Sequence, residues 1–175
     1  MDSKGMNRRQ FLHTSGAAAA GVAAVGAGAT IIAPDGAWAM ETKAIDRHAA
    51  MTLLRMARHI CPHDFLGDQY YAVAVEALDA QAAGSDDTRK LLMDGVASLD
   101  NALGIKWLDL SEGYQVSVLK SIETSGFFTT VRGATIGNLY NNPLVMRYFG
   151  DEGSSVEFGG YIDRGFDDIG WLPKV

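Results

Sequence analysis

Apolar residues recur at a spacing of three and four along much of the chain, and this period constrains the fold more than any other feature. In the stretch from Thr42 to Ile60, they fall at positions 45, 49, 53, 56 and 60, which lie on one face of a helix. Similar segments follow over 69–82, 85–103, 111–126 and 127–140, and a short sixth begins at Pro143. Glycine and proline separate them, and no series of alternating strands is evident. The sequence therefore predicts an all-α fold, a small helical bundle.

The composition changes at residue 150, where these periodic segments end. Residues 150–175 contain six glycines and six carboxylates together with several aromatic residues. So much glycine disfavours a helix, whereas the aromatic side chains need a surface against which to be buried. We expect an extended tail that either packs on its own bundle or binds another protein. In the second case the interface is formed by Phe158, Tyr161, Phe166 and Trp171, with Asp163, Asp167 and Asp168 meeting basic groups on the partner.

The first 39 residues show the features of a twin-arginine export signal in the expected order. An arginine pair, an apolar pair and a small-x-small cleavage pattern are formed by Arg8, Arg9, Phe11, Leu12, Ala37 and Ala39. The uncharged run over 16–33 consists mainly of Ala and Gly, so it is less apolar than a typical membrane-spanning helix. Cleavage is expected before Met40. The alternative is an uncleaved, amphipathic or membrane-anchoring N-terminus.

Three regions follow from these boundaries: a leader over 1–39, a helical domain over 40–149 and a tail over 150–175. The whole chain has a formal net charge of −6. Removing the leader, which carries three basic and two acidic side chains, makes the remainder still more acidic. A chain this acidic, without a basic cluster, is poorly suited to bind nucleic acid or an anionic membrane surface.

Residues 58–64 contain the one local cluster of metal-ligand residue types, His59, Cys61, His63 and Asp64. Zinc or copper requires three or four convergent ligands, but a helix end and Pro62 fall within this cluster. A helix-ending turn is therefore the preferred interpretation, and a metal or small-ligand site formed by His59, Cys61 and His63 is the alternative. Cys61 is the only cysteine, so it is buried, free, or paired in an inter-chain disulfide.

The sequence has no recognisable catalytic or cofactor motif. It lacks a dinucleotide fingerprint, a phosphate-binding loop and a Gly-x-Ser-x-Gly elbow. A single cysteine can supply neither the Cys-x-x-Cys-His of a c-type haem nor the four ligands of an iron–sulfur cluster. We therefore predict no catalytic, cofactor-binding or metal-binding residues in this chain. Because twin-arginine signals export folded proteins that usually carry a cofactor, the cofactor is expected in a partner that travels with this chain.

Three segments of the sequence resemble a known family: NRRQFL, LLRMARHICPHD and LYNNPLVMRYFGDEGSSVEFGGYIDRGFDDIGWLP. They resemble the small (gamma) subunits of bacterial membrane-associated flavin dehydrogenases, the gluconate 2-dehydrogenase subunit 3 family. The resemblance implies a small subunit without catalytic residues, which escorts the large subunit through twin-arginine export and stabilises it.

The resemblance also implies the composition of the complex. The large subunit would be a flavoprotein of the glucose–methanol–choline type, which binds FAD and oxidises a sugar or a related alcohol. Electrons commonly pass from such a subunit to a membrane-anchored cytochrome c subunit containing haem c. The implied location is the periplasm, reached through the twin-arginine translocase, with any membrane association made through a partner. The resemblance leaves the substrate open.

Overall fold

The computed structural model describes residues 29–33, 38–151 and 153–160, except for the side chain of Phe158. Within this part of the chain, six α-helices follow one another: α1 (Arg47–Ile60), α2 (Asp68–Gly84), α3 (Asp86–Asn101), α4 (Glu112–Ser121), α5 (Gly126–Tyr140) and α6 (Pro143–Tyr148). Short 3₁₀ turns lie at Trp107–Asp109 and Ser155–Phe158. The prediction of a small all-α bundle is confirmed.

Side-chain caps explain why several helices begin where they do. Asp46 accepts a hydrogen bond from the third residue of α1, and Ser85 and Ser125 do the same for α3 and α5. Asn142 caps α6, whose first residue is Pro143. Such caps satisfy backbone N–H groups that have no partner within the helix, and proline at the first position loses no helical hydrogen bond.

Two short strands, β1 (Thr30–Ile32) and β2 (Ala39–Glu41), form an antiparallel sheet before the helices. The sequence predicted no strand here, because a three-residue strand is too short to show an alternating pattern. The periodic stretch from Thr42 to Ile60 becomes helical only from Arg47 onwards. The chain bends over residues 43–45, where the Asp79 carboxylate of α2 accepts three backbone hydrogen bonds, and Asp46 then caps α1.

Helix α2 lies at the centre of the bundle, where it packs against α1, α3 and α5. The core between these helices contains the fully buried side chains of Leu53, Leu78, Leu92, Val131 and Leu139. Helices α3 and α5 approach closely at Gly95, where any Cβ atom would collide with the ring of Phe127. None of the helices in the described ranges is both long and apolar enough to cross a membrane.

Candidate interaction surface

The turn that follows α1 is held firmly by hydrogen bonds from two neighbouring side chains. The Tyr71 hydroxyl donates to the carbonyl oxygen of Cys61 at 2.6 Å and accepts from the backbone N–H of His63 at 3.3 Å. Arg58 donates to the carbonyl oxygen of Leu66 at 2.6 Å, and its guanidinium lies 4.9 Å from the centre of the Tyr71 ring. The turn therefore has a defined shape, and the side chains it carries are held in place.

On one side of the turn, His59 belongs to a hydrogen-bonded group with Gln115 and Trp107, which we call the closed network. The Gln115 amide nitrogen donates to the carbonyl oxygens of Trp107 at 3.0 Å and Leu108 at 3.3 Å. Its Oε1 is left to accept, so the His59 Nε2 atom, 2.7 Å away, carries the proton. The Trp107 indole donates to the carbonyl oxygen of Gln115 at 3.2 Å. Trp107 and Gln115 are buried, and the network fastens the end of α1 to α4.

On the other side of the turn, His63 and Cys61 both approach Tyr140 of α5. The His63 Nε2 atom lies 2.6 Å from the Tyr140 hydroxyl. The Cys61 thiol is only 6 % exposed, and it forms no disulfide within the described residues. Burial raises the pKa of this thiol, an effect opposed in part by a hydrogen bond with Tyr140 and by the charge of Arg132. The thiol is therefore protonated and shielded near neutral pH, and an inter-chain disulfide would require it to move to the surface.

The three side chains of the alternative metal site thus have different surroundings. Tyr140 brings Cys61 and His63 together, whereas His59 is bonded to Gln115 in the closed network. Within the described ranges, no group of three or more His, Cys, Asp or Glu side chains is placed to hold a metal ion. The arrangement indicates that these residues shape the turn.

A contiguous set of rings, which we call the aromatic patch, covers the outer side of this turn and consists of His63, Phe65, Tyr70, Tyr140, Tyr148 and Phe149. Phe149 is in edge contact with His63 at 5.1 Å and with Phe65 at 5.5 Å between ring centres. Tyr148 contacts Phe65 at 6.0 Å and Tyr70 at 6.1 Å. Despite these contacts, Phe65, Tyr148 and Phe149 remain 54 %, 58 % and 45 % exposed.

A groove borders the aromatic patch along α6. It has a volume of about 300 Å³ and is lined by Tyr70, Leu144, Arg147 and Tyr148. Leu144 is exposed as well, so apolar surface continues from the rings into the groove. A continuous exposed aromatic surface of this kind is characteristic of binding sites, since isolated proteins usually cover such area.

The aromatic patch could not be identified from the sequence, because its members come from four separate segments of the chain. Tyr148 ends α6 and Phe149 follows it, whereas Phe65 lies in the turn after α1. One signal was present: these aromatic residues lie outside the apolar stripes that define the core. Which of them would meet could not be read from their spacing.

The residues predicted for export and partner binding lie mostly outside the described part of the chain. Ala39 lies in β2, and Phe158 ends the second 3₁₀ turn. The remaining ones fall outside the described residues: Arg8, Arg9, Phe11, Leu12, Ala37, Tyr161, Asp163, Phe166, Asp167, Asp168 and Trp171.

Comparisons with known proteins identify no relative. No protein-family model matches the chain, and neither the curated proteins nor the solved structures include a significant match.

Proposed function

We propose that this chain is the non-catalytic small subunit of an exported, FAD-dependent sugar or alcohol dehydrogenase complex. It accompanies the flavoprotein large subunit through twin-arginine export and stabilises it in the periplasm. The observation that supports this proposal best is the aromatic patch, which the described residues leave largely uncovered. A protein partner that covers the patch would remove that apolar surface from water.

The physical character of the aromatic patch suits a protein partner. Its rings are already fixed by edge-to-face contacts and by the hydrogen-bonded turn beneath them. Binding would therefore cost little side-chain entropy. Aromatic residues and arginine dominate the energetically important positions of protein interfaces, and Arg147 lies in the groove beside Tyr148.

The tail continues directly from this surface, since Gly150 follows Phe149 in the chain. The described glycines of the tail, Gly150, Gly153, Gly159 and Gly160, all have positive φ angles, which other residues rarely adopt. The tail therefore begins as a series of tight turns that depend on glycine. In the proposed complex, its aromatic residues extend the contact that the aromatic patch begins.

The division of labour in the proposed complex follows from the predicted export signal and from the resemblance to the small-subunit family. The predicted export signal belongs to this chain, whereas FAD belongs to the large subunit and haem c to a cytochrome subunit. The large subunit would thus reach the periplasm only when this chain is bound to it. Tight binding before export is the physical requirement of such an escort.

Substitution of Arg8 and Arg9 by lysine tests the escort role. We expect the flavoprotein to remain in the cytoplasm together with this chain, and dehydrogenase activity in the periplasm to be lost. Lys4 can be changed to arginine as a control outside the pair, with no expected effect on export. A fully active periplasmic flavoprotein, with this chain retained in the cytoplasm, would contradict the proposal.

Truncation after Gly150 tests the role of the tail. We expect the shortened chain to keep its helical circular-dichroism spectrum and to lose the flavoprotein in a pull-down. If the bundle unfolds, the tail belongs to the core of this chain. If binding is unchanged, the helical domain alone makes the contact.

A further inference from the structure

The N-terminal hairpin contains the peptide bond at which the leader is predicted to be cut. In this hairpin Ile31 pairs with Met40, and Ile32 pairs with Ala39. The bond between Ala39 and Met40 therefore lies inside β2, with β1 hydrogen-bonded alongside it. A signal peptidase must bind its substrate as an extended, accessible strand, so a bond that is already paired in a sheet is a poor substrate.

The side chains of the hairpin belong to the hydrophobic core. Met40, the residue after the predicted cleavage point, is 0 % exposed, and its partner Ile31 is 3 % exposed. Both belong to the same core cluster as the helices. The hairpin is thus part of the folded domain, and the strand that precedes the cleavage point contributes to that fold.

Hydrogen bonds fasten the chain on both sides of the hairpin. Ala29 and Thr42 exchange two backbone hydrogen bonds of 2.8 and 2.9 Å, and the Thr42 hydroxyl donates to the carbonyl oxygen of Ile45 at 2.8 Å. Arg47 of α1 donates to the carbonyl oxygen of Thr30 at 3.2 Å.

Beyond the hairpin, the buried Asp79 carboxylate accepts from the backbone N–H groups of residues 43, 44 and 45 at 2.8, 2.8 and 3.0 Å. Consequently no free spacer separates the predicted cleavage point from the first core residue.

We propose that the folded domain protects the Ala39–Met40 bond, so that the exported chain keeps β1 and is cut at this bond only when the hairpin opens. This inference rests on the twin-arginine route of the proposed function, because that route exports folded proteins and the hairpin forms before the peptidase is met. Cleavage of a protected bond follows the population of the locally opened state.

Purified full-length chain, treated with purified signal peptidase in detergent micelles, tests this inference. A fragment starting at Met40 is followed by mass spectrometry, and a synthetic peptide of residues 28–46 serves as the unfolded reference. We expect the peptide to be cut. The folded wild-type chain should be cut at about one tenth of the peptide's rate or more slowly still. Ile31→Asp, which places a carboxylate in the core, should open the hairpin and restore cleavage.

Two further variants separate hairpin opening from other effects. Ile32→Asp changes the neighbouring residue of the same strand, whose side chain is exposed, and it should leave cleavage slow. Asp79→Asn lies on α2, outside the leader, and should accelerate cleavage by loosening residues 43–45. This variant keeps the test decisive if Ile31→Asp fails to fold.

The inference is overturned if the folded wild-type chain is cut as fast as the peptide, if the peptide itself is not cut, or if both opening variants stay as slow as the wild type. The proposed function has a separate readout, copurification of the flavoprotein. A chain that starts at Met40 in the periplasm but still binds the flavoprotein would refute protection alone. An uncut chain without a bound flavoprotein would refute the proposed function alone.

Discussion

The closed network and the aromatic patch lie on the two sides of one turn, but they differ in how completely their side chains are buried and bonded within this chain. In the closed network, Gln115 and Trp107 use their amide and indole groups on each other and on His59. In the aromatic patch, the rings of Phe65, Tyr148 and Phe149 touch one another but keep about half of their surface in water. The first arrangement is complete within this chain, whereas the second gains stability if something covers it.

This difference separates a structural role from a binding role. A buried polar group that makes all its hydrogen bonds stabilises one conformation. If one partner is removed, the remaining group stays buried without a hydrogen bond, and this lowers the stability of the fold. Exposed rings contribute little to the stability of the fold, so their clustering at the surface is better explained by binding. Substitutions in the closed network should therefore change stability, and substitutions in the aromatic patch should change binding.

The largest effect on stability is expected for Trp107→Ala. Trp107 is fully buried within the closed network, and truncation of such a side chain typically lowers the free energy of unfolding by about 3–5 kcal/mol. Urea denaturation followed by circular dichroism measures the change. Tyr114→Ala, an exposed aromatic residue on α4, is the matched control and should change stability by less than about 0.5 kcal/mol. Similar losses for the two variants would mean that the network does not anchor α4.

A somewhat smaller effect is expected for Gln115→Leu. The substitution leaves the His59 Nε2–H and the carbonyl oxygen of Trp107 without partners, at a cost of about 1–3 kcal/mol. Combining it with His59→Leu should cost less than the sum of the two single substitutions, because both remove the same hydrogen bond. Strict additivity in this double-mutant cycle would show that the two side chains act independently.

A further decrease in stability is expected at alkaline pH. Burial raises the pKa of the Cys61 thiol above its ordinary value of 9.0, and it raises the pKa of Tyr71 and Tyr140 above 10.0. The fold thus favours the protonated forms, so this contribution is complete below pH 9 and is lost as pH rises through the raised values. Urea denaturation at pH 8, 9 and 10 should show the decline, and Cys61→Ala should weaken it. A constant free energy of unfolding from pH 8 to pH 10 would contradict the raised pKa values of these buried groups.

The smallest effect on stability is expected in the aromatic patch. Phe65→Ala and Tyr148→Ala remove exposed rings and should each change the free energy of unfolding by no more than about 0.5 kcal/mol. Thermal denaturation of the isolated chain measures this. A loss as large as that of Gln115→Leu would indicate that the rings support the fold themselves.

The helices could be predicted because each combines an apolar stripe with its own stop signal. Pro62 ends the first, and Pro143 begins the sixth, as expected. Only local information is required for this, since the helical period and the caps lie within a few residues of each other. The prediction that the fourth helix extends to Gly126 is wrong, because α4 ends at Ser121.

The hairpin and the aromatic patch could not be predicted because each depends on contacts between distant segments. The chain after Thr42 is not helical, because the backbone N–H groups of residues 43 and 44 donate to the carboxylate of Asp79. Asp79 is more than thirty positions away in the sequence. Likewise, His63 meets Tyr140 across 77 positions. A local pattern contains no record of such contacts. The helix-ending turn after His59 was predicted, whereas the closed network was not, because no local pattern indicated that Gln115 would bond to His59.

Binding of the flavoprotein large subunit by a Phe65→Ala/Tyr148→Ala double variant tests the central claim most directly. Full-length chains are coexpressed with the flavoprotein and copurified, and the dissociation constants are measured by calorimetry. We expect a stable, helical double variant whose affinity for the flavoprotein falls about thirtyfold or more, as is typical for the loss of interface anchors worth about 2 kcal/mol or more. The control Tyr114→Ala, an exposed ring outside the aromatic patch, should bind like the wild type. Unchanged affinity of the folded double variant would contradict the assignment of the aromatic patch as the partner-binding surface.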